Sequence, residues 1–123
     1  MSGRPRRRRF GRVFGSNAVL MELFGPEPMG FFGLTENLGP GGCGVVTSDA
    51  MGAGCLLRLY ISLHSEVLEA DGRIAHERPR TDGRFDVGIE FLRMDQVHRA
   101  RYNLYVGRWT GDVQPSLLGE PVQ

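Results

Sequence analysis

Phe85-Asp86-Val87-Gly88-Ile89-Glu90-Phe91 alternates without a break: Phe85, Val87, Ile89 and Phe91 fall on one side, Asp86, Gly88 and Glu90 on the other. A period of two marks a strand with one buried face. The same period occurs upstream, where Leu57, Leu59, Ile61 and Leu63 alternate with Arg58, Tyr60 and Ser62. Between the two, Val67 to Glu77 reads as a hairpin return, and residues 78–84, with Pro79 and the pair Asp82-Gly83, read as a polar turn. Further upstream, Ala18 to Phe24 suits a buried strand ended by Gly25-Pro26-Glu27-Pro28, and Met29 to Glu36 suits its partner. Asn37-Leu38-Gly39-Pro40-Gly41-Gly42 reads as a tight turn whose glycines supply positive φ, with Cys43 to Thr47 a short strand leaving it. Downstream, Asp95 suits the N-cap of a single helix to about Val106, with Val97, Leu104 and Tyr105 inward and Arg99 and Arg101 outward. Short strands at close spacing followed by one helix predict an all-β fold. The expected form is a small antiparallel six-stranded β-barrel with one C-terminal α-helix, because closure removes long unpaired edges.

A chain of 123 residues holds one modest core. The expected partition is a flexible basic arm at 1–12, the barrel and helix at 13–107, and a tail at 108–123 in which Trp109 folds back onto the body. Charge is divided unevenly. Six arginines, Arg4, Arg6, Arg7, Arg8, Arg9 and Arg12, fall in the arm with no carboxylate before Glu22, whereas the remaining nine arginines face all fourteen acids. Such an arm suits an anion. Cys43 and Cys55 have no companion pair or HxxxH to complete a metal site, so both read as reduced, buried thiols and no metal is expected. The apolar runs are too short to span a bilayer, and no apolar stretch of signal-peptide type follows the arm, which implies a cytoplasmic location. Without GxSxG, HExxH or a P-loop, neither an enzyme nor catalytic residues are expected.

Two motifs remain. Arg8-Arg9-Phe10-Gly11-Arg12 holds RxxxR ahead of the first strand, and the Asn37–Gly42 turn lies between the second and third. In this order, followed by Gly72-Arg73-Ile74 and Val87-Gly88-Ile89-Glu90-Phe91-Leu92, they resemble the PilZ domain, a bacterial family marked by RxxxR and (D/N)xSxxG that binds cyclic diguanylate (c-di-GMP). Arg4 and Arg8 also fit RxxxR, but the family's apolar residue two places before the second arginine is Phe10, which selects Arg8 and Arg12. The resemblance implies c-di-GMP as the ligand, no other cofactor, and a site of Arg7, Arg8, Arg9, Arg12, Asn37, Gly39 and Gly42. The chemistry suits it. A guanidinium takes the O6 and N7 edge of guanine, clamps phosphate or stacks on a base; Asn37 presents an oxygen to guanine N–H groups, and Gly42 leaves backbone amides open to phosphate. Arg7, directly before RxxxR, goes in the family with a stacked ligand pair. His76 lies where some members place a residue against guanine, although on its own it reads as a surface histidine, as do His64 and His98.

Gly39 departs from the family serine. Loss of one hydroxyl contact is worth about three- to a hundred-fold in affinity. The resemblance implies a single-domain receptor, monomer or weak dimer, that orders its arm over c-di-GMP and signals to a downstream protein, with no DNA and no membrane span. A nucleotide-blind adaptor acting by protein contact in pilus or motility control is the alternative that Gly39 supports. A third reading is a basic-armed RNA-binding barrel, which would need aromatic platforms on an exposed strand face. Phe85 and Phe91 instead share the apolar stripe, and Glu66, Glu69, Asp71, Asp82, Asp86 and Glu90 read as scattered solubility charges.

Overall fold

The alternating segments become strands of one closed sheet. The computed structural model describes residues 13–14 and 16–110, with the side chains of residues 16–106. The strands are β1 (Val13–Phe14), β2 (Ala18–Leu23), β3 (Met29–Gly39), β4 (Gly42–Thr47), β5 (Leu56–Leu63), β6 (Glu66–Pro79) and β7 (Phe85–Arg93), and α1 covers Gln96–Thr110. All pairings are antiparallel. They run β3-β2-β5-β6-β7-β4, and β4 pairs back onto β3, so the six strands close into a barrel. The short β1 adds to β3 beside the end of the ring, with Val13 opposite Leu38 and Phe14 opposite Asn37.

Alternation decides which side chains fill the barrel. Leu57, Leu59, Ile61 and Leu63 are buried, and with Val19, Met21, Leu68, Ile74, Val87 and Ile89 they form one core. Fully burying a side chain of this size contributes about 1.5–3 kcal/mol. Phe85 and Phe91 pack against the same core, as their period predicts. Cys43 is buried and Cys55 half-buried.

β3 extends past the expected Glu36 to Gly39, through a bulge between Thr35 and Asn37, so the turn shrinks to Pro40-Gly41. Among the described residues positive φ occurs at Gly52, Gly54, His64 and Gly83 and not in this turn, contrary to the sequence expectation. The carboxylate of Asp95 accepts the His98 amide at 2.9 Å and its carbonyl accepts the Arg99 amide at 2.8 Å, which confirms the N-cap. The His98 amide donating to the carboxylate lowers the Asp95 pKa. The inward face of α1 differs from the expected one. Tyr102 and Val106 are buried, Val97 and Leu104 are exposed, and Tyr105 is half-buried. His98 is half-buried, and its Nδ1 accepts the Glu69 amide at 3.1 Å.

Candidate functional site

Four residues from four strands line up across the outer wall of the barrel. Asn37 on β3 is opposite Gly44 on β4, Gly44 is opposite Gly88 on β7, and Gly88 is opposite His76 on β6. The two glycines form a bare floor between two planar polar side chains. Each side chain lies down on its neighbour: a Cβ on Gly44 would come within 2.7 Å of Asn37 Nδ2, and one on Gly88 would overlap the His76 imidazole. Only glycine permits this approach. On the next row, Gly42 is opposite Glu90, which holds Arg73 at 2.6 Å.

Asn37 carries the main chemical signal. Its Oδ1 is buried and has no hydrogen-bond partner among the described residues. Leaving such an acceptor unpaired costs about 1–3 kcal/mol, and a ligand N–H would recover it. Beside it, Thr35 ties β3 to the chain entering β2: its Oγ1 accepts the Asn17 amide at 2.9 Å and donates to Asn17 Oδ1 at 3.3 Å.

The turn following Asn37 is held through its carbonyls. Tyr102 Oη donates to Gly39 O at 2.7 Å and to Gly42 O at 3.4 Å, Arg99 Nη1 donates to Pro40 O at 2.7 Å, and the Phe91 amide donates to Gly41 O at 2.8 Å. Phe91 stacks edge-on against Tyr102, with ring centroids 5.2 Å apart, and the Arg99 guanidinium lies over its face. A Cβ on Gly42 would collide with the Ile89 carbonyl, so close strand approach demands glycine here. Gly39 is buried, with its carbonyl committed to Tyr102.

Next to Asn37, Glu36 receives Arg80 Nη1 at 3.1 Å, and the same nitrogen reaches Asp86 at 2.9 Å. Asp86 first and Glu36 second raise the Arg80 pKa. Several acids that the sequence suggests are mere solubility charges therefore hold ion pairs, among them Asp71 with Arg58 and Glu66 with Arg101.

Of the expected site residues, Asn37, Gly39 and Gly42 come together at one end of β3 and its turn. Arg7, Arg8, Arg9 and Arg12 lie outside the described residues, as does the side chain of Trp109. Val13, bonded to Arg12, pairs with Leu38 beside Asn37. Sequence reading missed Gly44, Gly88 and Tyr102. Tyr102 was visible only as the i, i+4 partner of Val106, a weak signal next to the larger apolar choices.

A family profile described as PilZ domain matches residues 6–108. The chain belongs to the PilZ domain family. Solved structures agree on the fold. Bacillus subtilis inhibitor of motility, MotI/DgrA, is similar with a TM-score of 0.66 and 18% identity, covering 88% of this chain and 53% of that one. The PilZ domain of Escherichia coli YcgR, solved with c-di-GMP, has a TM-score of 0.65 and 14% identity over 92% of this chain and 98% of that one. A YcgR complex with c-di-GMP gives 0.68 and 12%, covering 95% of this chain and 51% of that one. This PilZ domain thus spans about half the length of the MotI chain and nearly all of the isolated YcgR domain. No curated protein matches it. Among the described residues of the PilZ domain, no helix is long and apolar enough to cross a membrane.

Proposed function

We propose that this PilZ domain is a c-di-GMP receptor whose arginine arm closes over a nucleotide seated on the Asn37–Gly44–Gly88–His76 row. The observation that carries the reading is the buried Asn37 Oδ1, without a partner among the described residues, beside the strand that follows the arm in the chain. A guanine N–H satisfies that oxygen, and the glycine floor admits a flat base between Asn37 and His76. Arg12 directly precedes Val13, and five residues of extended chain give Arg8 a reach of about 18 Å from there. Arg8 and Arg12 grip guanine and phosphate, and Arg7 and Arg9 add cationic charge. Gly39 supplies no side-chain hydroxyl, so contacts at the turn come from backbone amides. Family membership and the two c-di-GMP complexes among the similar structures support the same ligand.

Output in this reading is an order–disorder change in the arm that a downstream protein reads, without a catalytic step. Calorimetry with c-di-GMP, using GTP and a short RNA as controls, tests it. Binding by c-di-GMP alone is expected, with Arg8→Ala and Arg12→Ala each costing about 2 kcal/mol or more. Unchanged affinity in both variants excludes this site. Failure of the unaltered protein to bind would favour the nucleotide-blind adaptor, whose support is Gly39 in place of serine.

A further inference from the structure

The outer wall of β2, β3 and β5 carries an apolar cluster that the nucleotide reading leaves unused. Phe32 is opposite Leu20, and Leu20 is opposite Tyr60, so the three form one row across three strands. Leu34 follows on β3, opposite Ala18. Phe32 is 78% exposed and Leu34 47%, while Leu20 and Tyr60 are half-buried. Single exposed apolar residues are ordinary, but a contiguous row marks a contact surface.

The rim of this face decides what it accepts. Glu22 receives Tyr60 Oη at 3.1 Å, Glu69 is the cross-strand neighbour of Tyr60, and neither carboxylate holds an ion pair among the described residues. Nearby cations are already engaged. Arg58 is held by Asp71 at 3.0 Å and lies over Phe24, and Arg80 is divided among Glu36, Asp82 and Asp86. Such a rim repels nucleic acid and acidic lipid, and a symmetric pairing of two copies would set its carboxylates against their own kind. It attracts cations around an apolar centre.

We infer that the Phe32–Leu20–Tyr60 face is a docking surface for a protein partner that presents apolar side chains flanked by lysine or arginine. It is independent of the nucleotide row, and its test uses no nucleotide. The full chain is titrated into labelled peptides of about twelve residues, the length of an extended recognition segment, one alternating leucine with lysine and the other leucine with glutamate, and anisotropy is read. The lysine peptide is expected to bind and the glutamate peptide not. Phe32→Ser should weaken binding about tenfold, as for an anchor residue, and Glu22→Lys should weaken it and favour the glutamate peptide. Circular dichroism verifies folding, and Leu34→Gln replaces Phe32→Ser if that variant does not fold. Binding unaffected by these changes, or equal for both peptides, overturns the inference. Self-association abolished by Phe32→Ser assigns the face to a second copy, and RNA binding lost in the same variant assigns it to nucleic acid; either result overturns it too.

Discussion

Tyr102 Oη donates to the Gly39 carbonyl at 2.7 Å from a side chain with no solvent exposure, joining α1 to the turn sixty-three residues earlier in the chain. Arg99 and Phe91 bind the next two carbonyls, so the turn that closes the Asn37 segment is shaped by the end of the domain. Its geometry then depends on helix docking as much as on its own glycines.

Tyr102→Phe keeps the ring against Phe91 and removes only the hydroxyl. Chemical denaturation should show a loss of about 1 kcal/mol, the usual size for one hydrogen bond, and calorimetry should show weaker c-di-GMP binding because the turn loses an anchor. An equally stable variant with unaltered affinity would mean that the helix does not position the turn.

Gly88 and His76 form the second close relationship, since a Cβ on Gly88 overlaps the imidazole. Gly88→Ala must push His76 off the sheet, and it should be destabilising by about 1–3 kcal/mol. In a His76→Ala background the same change should cost much less, giving a coupling of about 0.5–3 kcal/mol in a double-mutant cycle. Additive effects would show that the imidazole does not rest on this glycine.

The barrel was legible where one face is core. Leu57–Leu63 and Phe85–Phe91 alternate because one face packs into the core while the other carries polar residues and glycine, and that local pattern needs no knowledge of partners. Asn37 and Gly42 were legible through family motifs. The row that joins Asn37 to His76 was not, because it depends on the register of β3 with β4, β4 with β7 and β7 with β6, including a bulge between Ile74 and His76 that local periodicity does not encode. The inward face of α1 was misread for a related reason. Val97 and Leu104 are apolar but face outward, whereas Tyr102 is selected by carbonyls distant in sequence.

Acid should loosen the β6–β7 turn. Asp82 accepts the Arg84 amide at 3.0 Å and the Arg84 side chain at 2.9 Å, and these contacts with Arg80 lower its pKa from 3.8 to about 2. A depressed carboxyl pKa contributes stability that is fully present above the unfolded value and disappears as pH falls through the folded one. Urea melts across that window should therefore show the unaltered protein losing more stability than Asp82→Asn, which carries no titrating group there. Parallel profiles for the two proteins would remove Asp82 from acid sensitivity.

Asn37 separates stability from binding. In the free protein its Oδ1 is a buried acceptor without a described partner, a state that destabilises the fold by about 1–3 kcal/mol. Leucine has nearly the same shape and no polar atom. Asn37→Leu should therefore leave the free protein as stable or raise its stability by up to about 2 kcal/mol, because the unpaired acceptor is removed. The same substitution should reduce c-di-GMP affinity about tenfold or more, since a guanine N–H would then meet a methyl group. Denaturation and calorimetry on one preparation read both quantities. A purely structural asparagine would lose stability and leave binding intact, the reverse of the outcome expected for an acceptor left open for its ligand.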